Sequence, residues 1–278
     1  MALLQTVDDF EVLVVDDGST DGTSEMVRAE FPSVRLERFE QSGGYITRRN
    51  LGAKLAAAPY VFSIDDDAEF PSPRTVEQTL AEFSHPRIGA VAIPFINVRQ
   101  DDRIRQTSPD ANDIWLIQNY IGTAHALRRD VFLKLGGYRA HLIHQGEESD
   151  YCTRLLDAGY VVRLGNADPI HHFESPRRDF RRMDFFGRRN DILYVWHNVP
   201  WPVFPLHLAA TTFNGTLYAF LCGRPWHHLK GIACGWCGCF KHFSRRRPVS
   251  RRGYALSRRL RKSGPVRLCE IEPLLPAL

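Results

Sequence analysis

Short apolar runs alternate with amphipathic segments over the first two thirds of the chain. Four segments rich in β-branched and other apolar residues predict strands, at 12–15, 34–39, 60–64 and 88–93. The segments between them predict helices, at about 20–30, 46–57 and 73–84. A regular alternation of strand and helix is typical of α/β proteins. We therefore expect a mixed, mostly parallel sheet flanked by helices.

The pattern continues less regularly to about residue 200. The polar stretch 97–113 predicts a surface loop. A helix is predicted to begin at Ser149, a favourable N-cap residue, and to end at Gly159. Segment 180–200 predicts a long helix, and apolar residues then dominate 201–223. The chain thus changes character near residue 200.

Carboxylates follow two of the predicted strands. Asp16 and Asp17 come directly after the first strand, and Asp65, Asp66 and Asp67 come directly after the third. Ligands of open α/β sheets bind at the carboxyl ends of strands. Turn and cap hydrogen bonds explain the first pair equally well. Three consecutive carboxylates repel one another and are tolerated best beside a cation, so the sequence favours a divalent metal ion.

A third acidic cluster consists of Glu147, Glu148 and Asp150, at the predicted start of the helix that ends at Gly159. Acids in this position also complement the helix dipole, and Asp150 has the spacing to pair with Arg154 one turn later. This structural explanation is weaker for Glu148, which we expect just outside the helix.

Two adjacent histidines, His171 and His172, follow another predicted strand and precede a basic loop. A lone His is usually a satisfied core or surface residue. The position of this pair, after a strand and before positive charge, favours a role beside a metal ion or a diphosphate.

Charge is distributed unevenly along the 278 residues, although the net charge is only +4. Residues 200–278 hold 13 Lys and Arg against Glu270 and Glu272, so the remainder carries a net charge of −7. An acidic domain is typical of metal and nucleotide sites, and the basic segment predicts an anionic surface as partner. The chain is 44% apolar, which allows one sizeable α/β domain with an appendage.

Six cysteines without a signal peptide ahead of them predict reduced thiols in the cytoplasm. Cys234, Cys237, Cys239 and His242 lie close together in the chain, but the second separated pair of a typical structural zinc site is missing. We therefore expect them to be small residues of a packed helix.

The apolar segment 201–223 is long enough to span a bilayer. Pro202, Pro205 and several polar residues interrupt it, which favours an interfacial or packed segment. The following run, 244–262, has nine basic residues and no acid, and predicts binding to anionic lipid headgroups; a merely solvated tail is the alternative. Nucleic acid is not expected, since only Tyr254 interleaves the basic residues and no binding motif accompanies them.

Six motifs occur in order over residues 3–198, namely "VVDDGSTDGT", "RRNLGA", "SIDDDAEF", "LGGY", "GEESDYCTRLLDAGY" and "IHHFES". With these motifs the chain resembles the family 2 glycosyltransferases of the GT-A fold, which is Rossmann-like. The resemblance implies a GT-A domain at 1–198, and the apolar and basic runs described above predict a helical, membrane-associated extension at 199–278. The family normally has a further strand and helix ahead of "EVLVVDDGST", so we expect a domain without its first strand, either because the true start lies upstream or because the protein is truncated.

The resemblance also implies roles for individual residues. Those expected to bind the nucleotide sugar are Asp16, Asp17, Arg49, Asp65 and Asp66. A metal ion, Mg²⁺ or Mn²⁺, is expected on Asp67 and His171. Glu148 occupies the usual position of the catalytic base, as Glu instead of Asp, and the choice between Glu148 and Asp150 stays open.

The activity implied is inverting, metal-dependent transfer of a sugar from a nucleotide-diphosphate donor to a hydroxyl of a cell-surface glycan or lipid-linked acceptor. We expect the protein on the cytoplasmic face of the cell membrane, bound there through its basic tail. A non-catalytic remnant that binds partners or the membrane is the alternative, because the first strand is missing. A nucleotidyltransferase is disfavoured because "DDGSTDGT" has no Lys or Arg, and a Rossmann dehydrogenase because no GxGxxG follows the first strand.

Overall fold

The computed structural model of the protein describes residues 2–174 and 179–278. The strands in this part of the chain are β1 (Leu13–Asp16), β2 (Arg35–Arg38), β3 (Tyr60–Ile64), β4 (Ala68–Glu69), β5 (Ile88–Ala92), β6 (Phe95–Asn97), β7 (Ile104–Arg105), β8 (Trp115–Ile117), β9 (Ala124–Arg128), β10 (Val161–Leu164), β11 (Ile170–His172) and β12 (Val266–Arg267). The α-helices are α1 (Thr23–Glu30), α2 (Tyr45–Leu55), α3 (Thr75–Ala81), α4 (Arg129–Lys134), α5 (Glu147–Asp157), α6 (Phe180–Asn198), α7 (Phe204–Leu221), α8 (Pro225–Lys241), α9 (Arg251–Ser263) and α10 (Leu268–Ile271).

Six strands form a central sheet in the order β12-β8-β10-β5-β9-β3. The pair β5 and β10 is parallel, and the other neighbouring pairs are antiparallel. As a result β3, β5, β10 and β12 run in one direction and β8 and β9 in the other. The expected α/β class with a mixed sheet is confirmed. A second sheet, β4-β11-β6-β7, is built from strands that follow β3, β5 and β10 in the chain, and it lies beyond their carboxyl ends.

The strands β1 and β2 form a separate parallel pair. Among the described residues, neither β1 nor β3 has another strand on its outer edge. Leu13–Val15 and the whole of β3 are half-buried, whereas β5 is buried along its length. A continuous apolar run such as 12–15 is typical of a strand covered on both faces, but most of β1 is only half-buried, and β2 is the one strand beside it in the described part of the chain.

Helix α2 spans the boundary between the β1–β2 pair and the central sheet, which we call the seam. A Cβ at Gly52 would lie 3.9 Å from Val15 and 4.0 Å from Leu13, so this side of α2 packs on β1. The carbonyl of Ala53 accepts a hydrogen bond of 2.8 Å from Nε of Arg129, at the start of α4 beside β9. One helix thus contacts both parts of the domain.

The predicted N-cap of α5 is wrong. The helix begins at Glu147 with Gly146 in the N-cap position, where φ is +84°. Glycine adopts this left-handed conformation without a Cβ clash, so the N-cap lies three residues earlier than expected. Glu148 therefore lies in the first turn of α5 rather than outside it. Gly159, with φ +87°, follows the helix as predicted.

Helix α8 approaches α6 closely through a stripe of glycines. A Cβ at Gly231 would lie 2.2 Å from the carbonyl oxygen of Phe185, and one at Gly235 would lie 2.9 Å from that of Arg189. The absence of side chains at these positions is what allows the two helix backbones to come together. The cysteines at 234, 237 and 239 lie in α8 as free thiols, in agreement with the prediction of a helix.

The region 199–278 packs on the rest of the protein through α8 on α6, and two further attachments join it to the domain. The strand β12 pairs with β8 at the edge of the central sheet. Helix α9 packs on α5 and buries Leu256 and Leu260. Most of the basic run 244–262 is therefore a docked helix rather than a free tail. Within the described ranges, no helix is both long and apolar enough to cross a membrane.

Candidate active site

A group of potential metal ligands lies where β3 ends. Oxygens of Asp65 and Asp67 and a ring nitrogen of His172 all lie within 4.8 Å of one another. The turn after β3 is closed by a hydrogen bond of 3.1 Å from the amide of Ala68 to the carbonyl of Asp65. Because β4 then pairs with β11, with Ala68 opposite His172, the turn brings both carboxylates to the histidine.

The ring of His172 is held in a suitable orientation for metal binding. Its Nδ1 lies 2.6 Å from Oδ1 of Asn97, which can only accept, so the Nδ1 proton is assigned to this bond. The Nε2 lone pair then points to Asp67, whose carboxylate oxygen is 3.3 Å away. An oxygen acceptor on the far ring nitrogen is the usual support of a metal-binding histidine. Two carboxylates and one oriented imidazole fit Mg²⁺ or Mn²⁺.

The histidine predicted for the metal site, His171, is not part of this group. Successive side chains of a strand point to opposite faces. His171 therefore lies on the other face of β11, where its Nδ1 is 3.8 Å from Glu69. The structure thus groups His172, and not His171, with the two carboxylates.

Asp65 and Asp66 differ from each other in their surroundings. Asp65 accepts a short hydrogen bond from Arg49, so it belongs both to the metal-ligand group and to an ion pair. Asp66 is exposed at the tip of the turn and is not part of the group.

Consecutive arginines connect the acidic ends of β1 and β3 across the seam. Nε of Arg48 donates a short hydrogen bond to Asp17. Arg49 pairs with Asp65, donates to the carbonyl of Gly122 at 3.2 Å, and lies 3.8 Å from Glu147. Burial lowers its pKa, but the charge of Asp65 and those of the neighbouring acidic groups together outweigh burial, so the pKa is raised. Arg49 therefore links the end of β3 with the start of α5.

The predicted nucleotide contacts Asp16 and Asp17 already accept hydrogen bonds within the protein. Asp16 is only 4% exposed and accepts from the Ser24 hydroxyl and the Ser19 amide, which lower its pKa to about 2. These bonds stabilise the turn after β1 and the start of α1. They are of the turn and cap kind that the sequence indicated as the alternative to ligand binding.

Asp17 is more open than Asp16 and holds the glycine loop ahead of α2. It accepts from the amides of Gly43 and Gly44 at 2.7 and 2.8 Å and from the Ser42 hydroxyl at 2.7 Å. Burial opposes the charged form, but these bonds and Arg48 outweigh it and lower the pKa to about 2. Asp17 is thus a permanent anion beside the seam.

Glu147 and Glu148 begin α5 as an adjacent pair of acids. Glu147 is fully buried, and Glu148 is half-buried. Burial and the neighbouring charge of Glu147 raise the pKa of Glu148 to about 8. A carboxylate with such a pKa has the basicity required of a general base near neutral pH.

Gly122 allows a backbone loop to lie against this pair. A Cβ at Gly122 would lie 2.6 Å from Oε1 of Glu148 and 2.8 Å from Nη1 of Arg49. Any side chain here would displace one of them. Sequence reasoning missed both Gly122 and Asn97; the sequence signal for Asn97 was a polar residue at the end of an apolar strand.

Asp150, the other candidate base, does not reach this centre. It is buried and accepts from Asn198 at 2.7 Å, from Arg154 at 3.1 Å and, by a short bond, from Arg139. Burial opposes ionisation, but the two arginines outweigh it and lower its pKa. Because Asp150 lies two positions after Glu148, the helix turns it to a different side. It connects α5 to α6 instead.

The sequence is similar to those of known proteins. The model of the family described as Glycosyl transferase family 2 matches residues 2–140, half of the chain. The chain belongs to glycosyl transferase family 2. Curated relatives include validoxylamine A glucosyltransferase of Streptomyces hygroscopicus subsp. jinggangensis, 37% identical over 90 residues, which are 31% of this chain and 21% of that protein.

Chondroitin synthase of Pasteurella multocida is similar as well, 36% identical over 85 residues, or 30% of this chain and 9% of the relative. The match therefore spans at most about a fifth of the length of these two family 2 relatives.

Solved structures support the fold. A mannosyltransferase of Pyrobaculum calidifontis in complex with GDP-Man and Mn²⁺ aligns with a TM-score of 0.54 and 20% identity, over 92% of this chain and 72% of that one. S. aureus TarS 1-349 in complex with UDP aligns with a TM-score of 0.55 and 18% identity, over 76% and 64%. This family 2 chain has the expected GT-A fold.

Proposed function

We propose that the chain is a metal-dependent, inverting glycosyltransferase that uses a nucleotide-diphosphate sugar. The observation that carries the proposal is the group of Asp65, Asp67 and His172, connected through Arg49 to the acidic start of α5. A metal-ligand set and a carboxylate of raised pKa are the two elements that such a transfer needs.

The three ligands would hold Mg²⁺ or Mn²⁺, which supplies neutralising charge to the diphosphate leaving group. Glu148 would take the proton of the attacking hydroxyl. Direct attack by the acceptor inverts the anomeric centre and requires a single protein carboxylate, in contrast to the pair used by glycosidases. The engagement of Asp150 with Arg139 and Arg154 supports Glu148 as that carboxylate.

The donor is proposed to lie along the seam, between the ends of β1 and β3. Asp17, Arg49 and Asp66 are the proposed nucleotide-sugar contacts, because they are partly exposed or lie at this edge. Asp16 would contribute to donor binding indirectly, by stabilising the turn after β1. Two structural relatives carry GDP-Man and UDP, so we propose a nucleoside diphosphate without choosing its base.

The acceptor is proposed to be a hydroxyl of a cell-surface glycan or glycolipid. The region without acidic residues, 192–269, supports a location at the anionic inner face of the cell membrane. Peripheral association in the cytoplasm follows from this proposal.

Calorimetric titration with UDP, dTDP and GDP, each with and without Mn²⁺, tests the donor site. We expect one nucleotide to bind in a metal-dependent manner. Asp67→Asn should abolish the Mn²⁺-dependent part of the affinity, because it removes a ligand. The matched control is Glu69→Gln, an acid-to-amide change next to the turn but outside the ligand group, which should bind like the wild type. Equal metal dependence in both variants would remove Asp67 from the site.

The alternative is a non-catalytic remnant that still folds and binds partners. The outer edges of β1 and β3, which pair with no strand in the described part of the chain, favour this hypothesis. Failure of all three nucleotides to bind a folded protein, with or without Mn²⁺, would support the remnant over the enzyme.

A further inference from the structure

The α7–α8 pair exposes a large apolar surface. Six side chains form it and are between 48% exposed at Leu217 and 76% exposed at Phe240. We call this surface the apolar ridge; its residues are Leu206, Phe213, Leu217, Phe220, Trp226 and Phe240. Contiguous exposed apolar surface of this kind is rare in soluble proteins unless it binds a partner.

The ridge residues of α7 share one face of the helix. At 100° per residue, positions 206, 213, 217 and 220 fall within an arc of about 60°. The buried residues of the same helix are on the opposite face, namely Phe204, Leu208, Gly215 and Ala219. The ridge is therefore not the core-facing side of α7 but a second apolar face, without a partner among the described residues.

The two helices run antiparallel, so their outer faces form one surface. Nε1 of Trp236 donates to the Thr212 hydroxyl at 3.2 Å, and farther along the ring centroids of His228 and Tyr218 are 5.5 Å apart. From the first contact to the second, the residue number thus increases in α7 and decreases in α8. This register brings Trp226 of α8 next to the end of α7 that carries Phe220.

Charge indicates what covers the ridge. No Asp or Glu occurs in residues 192–269. Exposed cations flank the ridge, among them Lys230, Lys241 and Arg245, and Nζ of Lys230 lies 4.6 Å from the centre of the Trp226 ring. A second copy of the chain would bring like charges together, whereas an anionic lipid surface presents the opposite charge.

We propose that the apolar ridge is the membrane-binding surface of this protein, inserted into the headgroup region of an anionic bilayer. Its aromatic and leucine side chains lie at the level where such residues are most favourable, and the flanking lysines and arginines reach the lipid phosphates. This differs from binding through the run 244–262, because the apolar side of α9 is occupied by α5. The proposal does not depend on transferase activity.

Co-sedimentation with vesicles tests the ridge. The wild type should bind vesicles that contain phosphatidylglycerol and bind those of phosphatidylcholine alone more weakly. Leu217→Glu and Phe220→Glu should each weaken binding by about tenfold or more, since each removes the burial of one large apolar side chain and adds a negative charge. The matched control is Met26→Glu in α1, an exposed apolar residue of a distant helix, which should bind like the wild type.

Quenching by brominated lipids gives a second measurement. Trp226→Phe should remove most of the lipid-dependent quenching while the melting temperature stays unchanged, because Trp226 is exposed. Unaltered vesicle binding by Leu217→Glu and Phe220→Glu would overturn the proposal, as would equal loss in Met26→Glu. A lipid-free dimer that Leu217→Glu dissociates, seen by light scattering, would assign the ridge to a second copy instead.

Discussion

Two carboxylates of α5, Glu148 and Asp150, have opposite electrostatic environments although they are two residues apart. Two arginines and an amide stabilise the anion of Asp150 and lower its pKa. Burial and the neighbouring acid Glu147 raise the pKa of the half-buried Glu148 to about 8. The difference follows from the helical rotation between the two positions. One acid is therefore suited to hold structure and the other to exchange a proton.

The proposed base gives a prediction for Glu148→Gln. Donor binding should stay close to that of the wild type, while turnover should fall by a factor of about 10² or more. The wild-type rate should rise with pH up to about 8, because only the deprotonated form of Glu148 accepts a proton. Initial rates across pH, together with calorimetric donor binding, check this. Full turnover in the variant would exclude Glu148 as base.

The same variant has a predicted effect on stability. The pKa of Glu148 is raised in the folded state from 4.5, so wild-type stability due to this group is present below pH 4.5 and is lost as the pH rises through about 8. Glu148→Gln has no charge to bury at alkaline pH and should therefore melt at a higher temperature than the wild type there.

Asp150→Asn is the contrasting variant. It removes the buried charge that pairs with two arginines, which should lower the free energy of unfolding by about 3 kcal/mol.

Sequence reasoning predicted the acidic clusters of the site but not how the side chains combine. The clusters were recognisable because carboxylates directly follow apolar runs, as Asp65 and Asp67 do. The choice of His172 over His171 depends on the register of β11 with β4, which is a long-range property. Likewise, the partners of Asp150 include Asn198 of α6, which no local pattern reveals.

At the scale of elements, the contact between α6 and α8 depends on the absence of side chains. Gly231→Ala places a Cβ 2.2 Å from the Phe185 carbonyl, so the helices must separate. We expect a loss of about 1–3 kcal/mol in the free energy of unfolding. The matched control is Gly187→Ala in α6, where the nearest atom, on Gln145, is 3.5 Å away.

That control should be neutral or stabilising by up to about 1 kcal/mol, because alanine has the higher helix propensity. Urea denaturation of both variants measures the difference. Equal effects of the two substitutions would mean that the glycine contact is not what limits the approach of α8.

Helices and strands that have a clear local sequence pattern were predicted well. Short strands that exist only because they pair with residues distant in the chain were not predicted. The strand 60–64 was predicted with its observed bounds. The short strands β4, β6, β7 and β12 have too few residues for a periodic pattern and exist through their partners. The packing of α9 on the domain was not predicted from the sequence, because basic residues are more numerous in this segment than apolar ones. Leu256 and Leu260, which are four residues apart, were the signal of a buried helix face.

At the scale of the molecule, the seam divides the domain into two parts whose backbone amides we expect to be protected unequally from hydrogen exchange. The strands β1 and β2 form an isolated pair with half-buried side chains, whereas β5 and β10 are buried within the central sheet. Few buried contacts imply a low free energy of local opening. Amides of residues 13–16 and 35–38 should therefore exchange with deuterium faster than those of 88–92 and 161–164.

Hydrogen exchange with mass spectrometric detection measures this difference. Addition of Mn²⁺ and the nucleotide that binds should slow exchange in the β1–β2 pair more than in the central sheet, if the donor lies along the seam as proposed. Equal protection of both parts in the free protein would show that α2 and its arginine pairs join them as firmly as strand pairing does.

The seam also has a consequence for the thermodynamics of donor binding. A ligand that contacts both sides fixes their relative position and limits conformational freedom that the free protein retains. Part of the contact energy then offsets this loss of entropy, so the measured affinity understates the strength of the contacts. Calorimetry should accordingly record a large favourable enthalpy opposed by an unfavourable entropy, with a negative change in heat capacity. A weak dissociation constant for the nucleotide would then reflect the divided sheet rather than a poorly formed set of ligands.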